Sequence, residues 1–205
     1  MPTSPVALAP PVVMAISGGD AGDGLMFAWL FRSGQPPASL HLDHLDDALT
    51  RADGVVWAHL NASASRAKQW LATCSHLPVP VREDLLETEE RTRLEPFGDA
   101  ILGVIGDTVA GADPDPWRLS TLRFYAAARL LVSTRRRPIS CASRLARAVR
   151  EGLQVRSAAE LLVWLLHHAA ESVGGRAREL ERDTDRTEDE VLGGHIAPAL
   201  SLIHI

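Results

Sequence analysis

Residues 119–134 read LSTLRFYAAARLLVST. Two runs rich in leucine, valine, phenylalanine and tyrosine, 119–125 and 129–134, flank a short alanine turn, which is the pattern of a β-hairpin. Upstream, residues 100–105 (AILGVI) form an apolar run of the length of a buried strand. Residues 93–97 are read as extended and 111–116 (GADPDP) as a loop. Residues 55–60 (VVWAHL) make an earlier strand, entered through Asp53-Gly54, and residues 25–32 (LMFAWLFR) the first firm one, followed by a turn at 33–37 (SGQPP).

Between and after these runs the period changes to that of helices. Leu45, Ala48 and Leu49 sit at helical spacing within residues 43–51. Residues 61–63 open a helix with Ala67, Trp70, Leu71 and Cys74 along one face. Pro78 and Pro80 are expected to end it, and a short acidic helix to follow at 81–88. A helix over about 141–152 stops on a glycine. Ser157 and Glu160 form a capping box, which marks the start of a long final helix running to residue 192. Strand, helix, strand, helix, then strands, then helices is the order of a layered α/β domain with a helical arm. The five main strands are expected in one sheet with helices on both faces, burying Trp29, Trp57, Trp70, Leu102 and Leu131.

Residues 1–24 are expected to form a flexible tail, with an isolated apolar run at 12–16 and a glycine-aspartate turn at 18–24 (GGDAGDG) that lacks the lysine of a phosphate loop. Residues 25–152 form the α/β domain and 153–192 the arm. Residues 193–205 break the helical pattern, and the last six (LSLIHI) resemble translated sequencing adapter, so that this tail is expected to lie outside the fold.

The formal charge of the 205-residue chain is −5, with 26 acidic against 21 basic residues. That balance argues against a nucleic-acid partner and suits the gathering of cations. Lys68 is the only lysine. The two cysteines, Cys74 and Cys141, belong to no pairing motif and are expected to be reduced and buried. There is no basic flank before an apolar run that would mark a signal peptide, and no apolar stretch of the roughly 18 residues that a membrane span needs. A nucleophile elbow, HExxH, CxxC and a phosphate loop are all missing, so an enzyme is not expected.

Two groups of residues are candidates for handling ions. His41 and His44 lie three apart with Asp43, Asp46 and Asp47 beside them, a weak metal-site candidate because zinc needs three or four converging ligands. On the outer half of the long helix, Glu179 and Asp183 form one acidic row and Glu181, Asp185 and Asp189 another, beside Arg178, Arg182 and Arg186. Such rows describe either a solvated helix with compensating i,i+3 pairs or an arm that attracts cations. The apolar face is wide from Leu161 to Val173 and narrows beyond it to Ala177, Leu180, Thr184 and Val191, so the outer half is expected to reach away from the domain. His167 and His168 are adjacent and point about 100° apart. His59 is expected to be a satisfied core histidine. Arg135-Arg136-Arg137 could meet phosphate, but in an acidic chain carboxylates of the same fold or of a neighbour are the expected partners.

Two stretches together resemble a known family. DLLETEERTRLEPFGDAILG (84–103) and GADPDPWRLSTLRFYAAARLLVSTRRRP (111–138) are similar to the corresponding segments of ZntB-like zinc transporters in the CorA superfamily. The earlier VVWAHL and the later SAAELLVWLL and LERDTDRTEDEVL fall in the expected order. The resemblance covers about residues 25–192 and implies an α/β/α sandwich with a mixed sheet, followed by the long arm, as the cytoplasmic domain of a divalent-cation transporter. Zinc is the implied ion and magnesium the alternative; the ion is cargo, and no cofactor is expected. The resemblance also implies a pentamer on the inner face of the cell membrane. A second arm helix, two membrane spans and a Gly-Met-Asn pore mouth would follow beyond these residues, so no pore residue is carried over. The rival reading is a stand-alone soluble regulatory or interaction domain with the same fold.

Overall fold

A computed structural model describes residues 22–51, 53–109 and 119–192. The expected run at 12–16, the loop at 111–116 and the tail at 193–205 lie outside the described residues. Strands β1 (Leu25–Phe31), β2 (Ala38–Ser39), β3 (Val55–Asn61), β4 (Arg93–Phe97), β5 (Ala100–Thr108), β6 (Leu119–Ala127) and β7 (Leu130–Arg135) form one sheet in the order β2-β1-β3-β7-β6-β5-β4. Every pairing is antiparallel except β3 with β7, where Val56 faces Leu130 and Asn61 faces Arg135.

Helices α1 (Leu45–Arg51), α2 (Ser65–Thr73) and α3 (Val79–Leu86) cover one face, and α4 (Ser140–Arg150) and α5 (Ala158–Leu192) the other. Two apolar cores result, one on each side of the sheet. The first holds Leu45, Leu60, Leu71, Val81 and Leu85; the second holds Trp57, Leu122, Phe124, Leu145 and Leu161. Because both faces are covered, β3 is buried along almost its whole length, which is why VVWAHL is continuously apolar rather than alternating. Trp29, Trp57, Trp70, Leu102 and Leu131 are all buried, as expected from the period of their runs. Trp57 is fully enclosed, and cutting it to alanine should cost about 3–5 kcal/mol.

Several boundaries differ from the sequence reading. The acidic helix begins earlier: α3 starts at Val79 with Pro78 at its N-cap and Pro80 in its first turn. A proline there lacks only an amide that would have no intrahelical partner, so these prolines start a helix as well as following one. The strand beginning at Ala100 continues to Thr108, and β2 is a two-residue edge strand held against Trp29 and Leu30. The segment expected as one helix over 43–51 opens with a single 3-10 turn, Leu42–His44, before α1.

Two loop glycines have clear structural tasks. Gly24 has a φ of +81°, and a Cβ there would fall 2.4 Å from the Ala64 Cβ. The preceding Asp23 accepts a hydrogen bond from the Leu25 amide at 2.8 Å, so the glycine-aspartate segment ends as a tight turn into β1. Gly152, with a φ of +103°, follows the C-cap of α4 in the left-handed region.

Candidate functional site

The 35-residue helix α5 begins with the expected cap. The Glu160 amide donates to Ser157 Oγ at 3.1 Å, and Glu160 Oε2 accepts from the Arg156 amide at 2.8 Å, one residue ahead of the usual reciprocal partner. Its inner half then packs on the sheet through Ala158, Leu161, Leu162, Leu165 and Ala169. Glu171 binds the same half to α4: its carboxylate lies 3.6 Å from Arg144, 3.5 Å from His167 and 3.4 Å from His168. The two adjacent histidines therefore reach different oxygens of one carboxylate. The final tie to the sheet is at Ser172, whose Oγ lies 2.5 Å from Thr108 Oγ1.

Beyond Ser172 the helix changes environment. Leu180, Val191 and Leu192 are exposed at 52%, 56% and 84%, so the narrow apolar stripe expected there has no cover among the described residues. Residues 179–190 carry seven carboxylates against Arg182 and Arg186. With about 100° per residue, the row of Glu179 and Asp183 runs along one side of the stripe. Glu181 and Asp185 run along the other, and Asp189 continues their row. Of the expected i,i+3 pairs, Asp183–Arg186 forms at 3.2 Å, while Glu179 is taken by Arg176 at 2.7 Å rather than by Arg182. Glu181, Asp185 and Asp189 make no ion pair among the described residues. Such exposed pairs contribute little to stability, and the carboxylates stay available to solvent cations.

The other candidate cluster is spread out. Leu42, Leu45 and Ala48 turn into the core, which leaves His41, Asp43, His44, Asp46 and Asp47 exposed around the 3-10 turn and α1. Asp43 pairs with Arg66 at 2.8 Å, and Asp46 accepts a weak hydrogen bond from the Cys74 thiol at 3.6 Å. Among the described residues no three histidine, cysteine, aspartate or glutamate side chains come together so that they could hold a metal ion. Burial, with Asp46 beside it, raises the Cys74 thiol to about 11, which makes it inert as a thiolate ligand at neutral pH.

His59 is a core histidine. It is buried, stacks on Phe27 at 4.9 Å, and its Nδ1 lies 2.9 Å from Ser133 Oγ, which also accepts from Trp57 Nε1 at 3.0 Å. Burial, helped by the positive charge of Arg135, lowers its pKa to about 3, so the ring is neutral.

The arginine triplet departs from expectation. Arg136 donates to the carbonyls of Ala62 and Leu86, and Arg135 to the Met26 sulfur at 3.3 Å; no carboxylate among the described residues pairs with either. The buried ion pairing lies elsewhere and was not read from the sequence. Asp84 on α3 is shared between Arg93 of β4 and Arg123 of β6. Arg123, only 4% exposed, also donates to the carbonyls of Asp84 and Glu89. Asp107, fully buried at the end of β5, accepts from the Thr108 amide and from the Cys141 amide in the first turn of α4. A charged residue inside an apolar run was the available signal for both Arg123 and Asp107; their distant partners, 34 to 39 positions away, had none.

The family model of the CorA-like Mg2+ transporter protein matches residues 52–201. The chain is 32% identical over 181 residues to the zinc transport protein ZntB of an Enterobacter species, across 86% of this chain and 53% of that protein. It thus spans about half the length of that relative. The full-length CmaX protein superposes with a TM-score of 0.70 at 20% identity, over 84% of this chain and 53% of that one. The cytoplasmic domain of ZntB from Vibrio parahaemolyticus does so with a TM-score of 0.65 at 18% identity, over 80% and 64%. These likenesses show the same fold: a mixed seven-stranded sheet between helical layers, with a long helix leaving it.

Proposed function

The chain belongs to the family of CorA-like Mg2+ transporter proteins, and on that premise we propose that it serves as the cytoplasmic domain of a divalent-cation transporter. Zinc is the proposed cargo, supported by the similarity to ZntB, with magnesium as the alternative. Among the described residues no helix is long and apolar enough to cross a membrane. The part played by these residues is to hold the pore-forming segments on a rigid base and to raise the cation concentration near them.

One observation carries this reading: α5 is anchored on the sandwich as far as Ser172 and then leaves it with its carboxylates exposed. The acidic rows of Glu179 and Asp183, and of Glu181, Asp185 and Asp189, attract divalent cations by long-range charge without a dehydrated site. Asp43, Asp46 and Asp47 add a lesser acidic patch. Self-association, as a pentamer, would bring several such arms around one axis and strengthen the field. The inner face of the cell membrane is the proposed location.

Fractionation and uptake test the proposal together. The protein expressed from its natural gene should pellet with membranes, and cells carrying it should take up zinc faster than cells lacking the gene. Recovery wholly in the soluble fraction, with unchanged uptake of zinc and magnesium, would overturn it and leave a soluble regulatory or interaction domain.

A further inference from the structure

We infer that the crevice at the carboxyl ends of β3 and β7, between Ala62 and the Arg135-Arg136-Arg137 triplet, is a binding site for a phosphate group, free or carried on a small metabolite. This inference does not depend on the transport reading.

The topology marks the place. β3 and β7 are the only parallel neighbours among the described strands, so their carboxyl ends lie side by side. The chain leaving β3 goes to α2 and α3 on one face, while the chain leaving β7 goes to α4 on the opposite face. Connections that part in this way open a crevice, and crevices at such points are where open α/β sheets bind ligands.

The residues give the crevice its chemistry. Arg123, Arg135, Arg136 and Arg137 line it, with the hydroxyl residues Ser120 and Thr121 on the neighbouring strand. Arg123 and Arg136 are committed to main-chain carbonyls, and Arg123 also to Asp84. Arg135 turns to the opposite face of the sheet, where it reaches the Met26 thioether. Arg137 is the one left for a ligand: it is half-buried, and its guanidinium makes no hydrogen bond or ion pair among the described residues. A guanidinium taken partly out of water without a counter-charge is costly, and an oxyanion supplies both the charge and the matching acceptors. Glu87 and Glu90 also line the crevice, on its exposed side. They oppose a large polyanionic surface such as nucleic acid, while leaving room for one small oxyanion at Arg137.

Isothermal titration of the 205-residue chain with inorganic phosphate, and separately with ATP, tests the site. Amide NMR shifts report where binding occurs. Saturable binding is expected, with shifts centred on residues 62, 120–121 and 135–137. R137Q, which removes a side chain with no structural contact, should weaken binding about ten-fold or more, while R135Q, on the opposite face of the sheet, and R129Q, on another surface, should not change it. Tighter binding of ATP would identify a nucleotide source, and equal binding a free phosphate. No saturable binding by the unaltered chain would overturn the inference, as would undiminished binding by R137Q. A peptide of residues 176–190 binding the crevice in place of phosphate would overturn it in favour of an acidic helix from a second copy.

Discussion

Ser172 Oγ and Thr108 Oγ1 lie 2.5 Å apart, and this contact is where helix α5 makes its final tie to the sheet. Thr108 also donates to Ser140 Oγ at 3.0 Å, so one hydroxyl cluster joins the end of β5, the start of α4 and the middle of α5. S172A should cost about 1 kcal/mol, the usual worth of such a bond. Amides at 169–173 should exchange faster in S172A while those near Leu161 stay unchanged. Equal exchange in both proteins would show that Ser172 does not anchor the helix.

Directly after that anchor stand Gly174 and Gly175. A Cβ at Gly175 would meet nothing within 4 Å, and one at Gly174 only the Arg178 Nη1 at 3.6 Å, so packing does not require either glycine. In a helix interior each lowers stability by about 1 kcal/mol relative to alanine. G174A/G175A should therefore raise helicity by circular dichroism and slow exchange beyond residue 176. It should also narrow the distance distribution between spin labels at positions 73 and 189. An unchanged distribution would mean that the arm does not bend at this pair.

Asp84 neutralises two arginines at once. Removing it by D84A strands Arg123, which is 4% exposed, together with Arg93. The expected loss is about 3–5 kcal/mol, read by urea denaturation. A loss below about 1 kcal/mol, the range of surface pairs, would show that water reaches the two guanidinium groups.

His59 should make the fold sensitive to acid. Its folded pKa, about 3, lies below the ordinary 6.5, so the unfolded chain binds a proton that the folded chain refuses. Stability from this group is full above about pH 6.5 and falls by roughly 1.4 kcal/mol per pH unit as the pH drops toward 3. The window from pH 6.5 to 5 separates this effect from that of the carboxylates. H59F, which keeps the stack on Phe27, should flatten the stability profile there; a wild-type slope in H59F would assign the effect to another group.

The arm should show a gradient of protection along one helix. Amides near Leu165 lie over the core and should exchange slowly, whereas those beyond Leu180, on an exposed stretch with little packing, should exchange fast. Adding zinc or magnesium should slow exchange modestly at 179–189 if the acidic rows gather cations. Uniform protection of α5 would remove the arm, and an unchanged outer half on adding cation would remove only its ion-gathering role.

Much of this architecture was legible in the order of residues. Period-two and continuous apolar runs marked the five main strands, and the spacing of Ala67, Trp70, Leu71 and Cys74 marked the buried face of α2. The Ser157–Glu160 cap placed the start of α5. The thinning of its apolar stripe after Val173 matches the exposure of Leu180, Val191 and Leu192. These features are local: a side chain's direction follows from its neighbours within a few positions.

What only the tertiary structure decided depends on contacts between distant residues. The parallel join of β3 to β7 closes a separation of about 75 positions, and no local pattern distinguishes it from other pairings. The same join determines which side chains share an environment. It buries His59 between neighbouring strands, and that burial keeps the ring neutral. It also places the arginine triplet at a crevice instead of against the carboxylates that an acidic chain offers in abundance. The histidines and aspartates at 41–47 are close in sequence, yet a single 3-10 turn spreads them over the surface because Leu42, Leu45 and Ala48 take the inward positions. Composition records how many charges a chain carries, but pairing needs an approach within about 4 Å, and the packing of whole layers decides which charges achieve it.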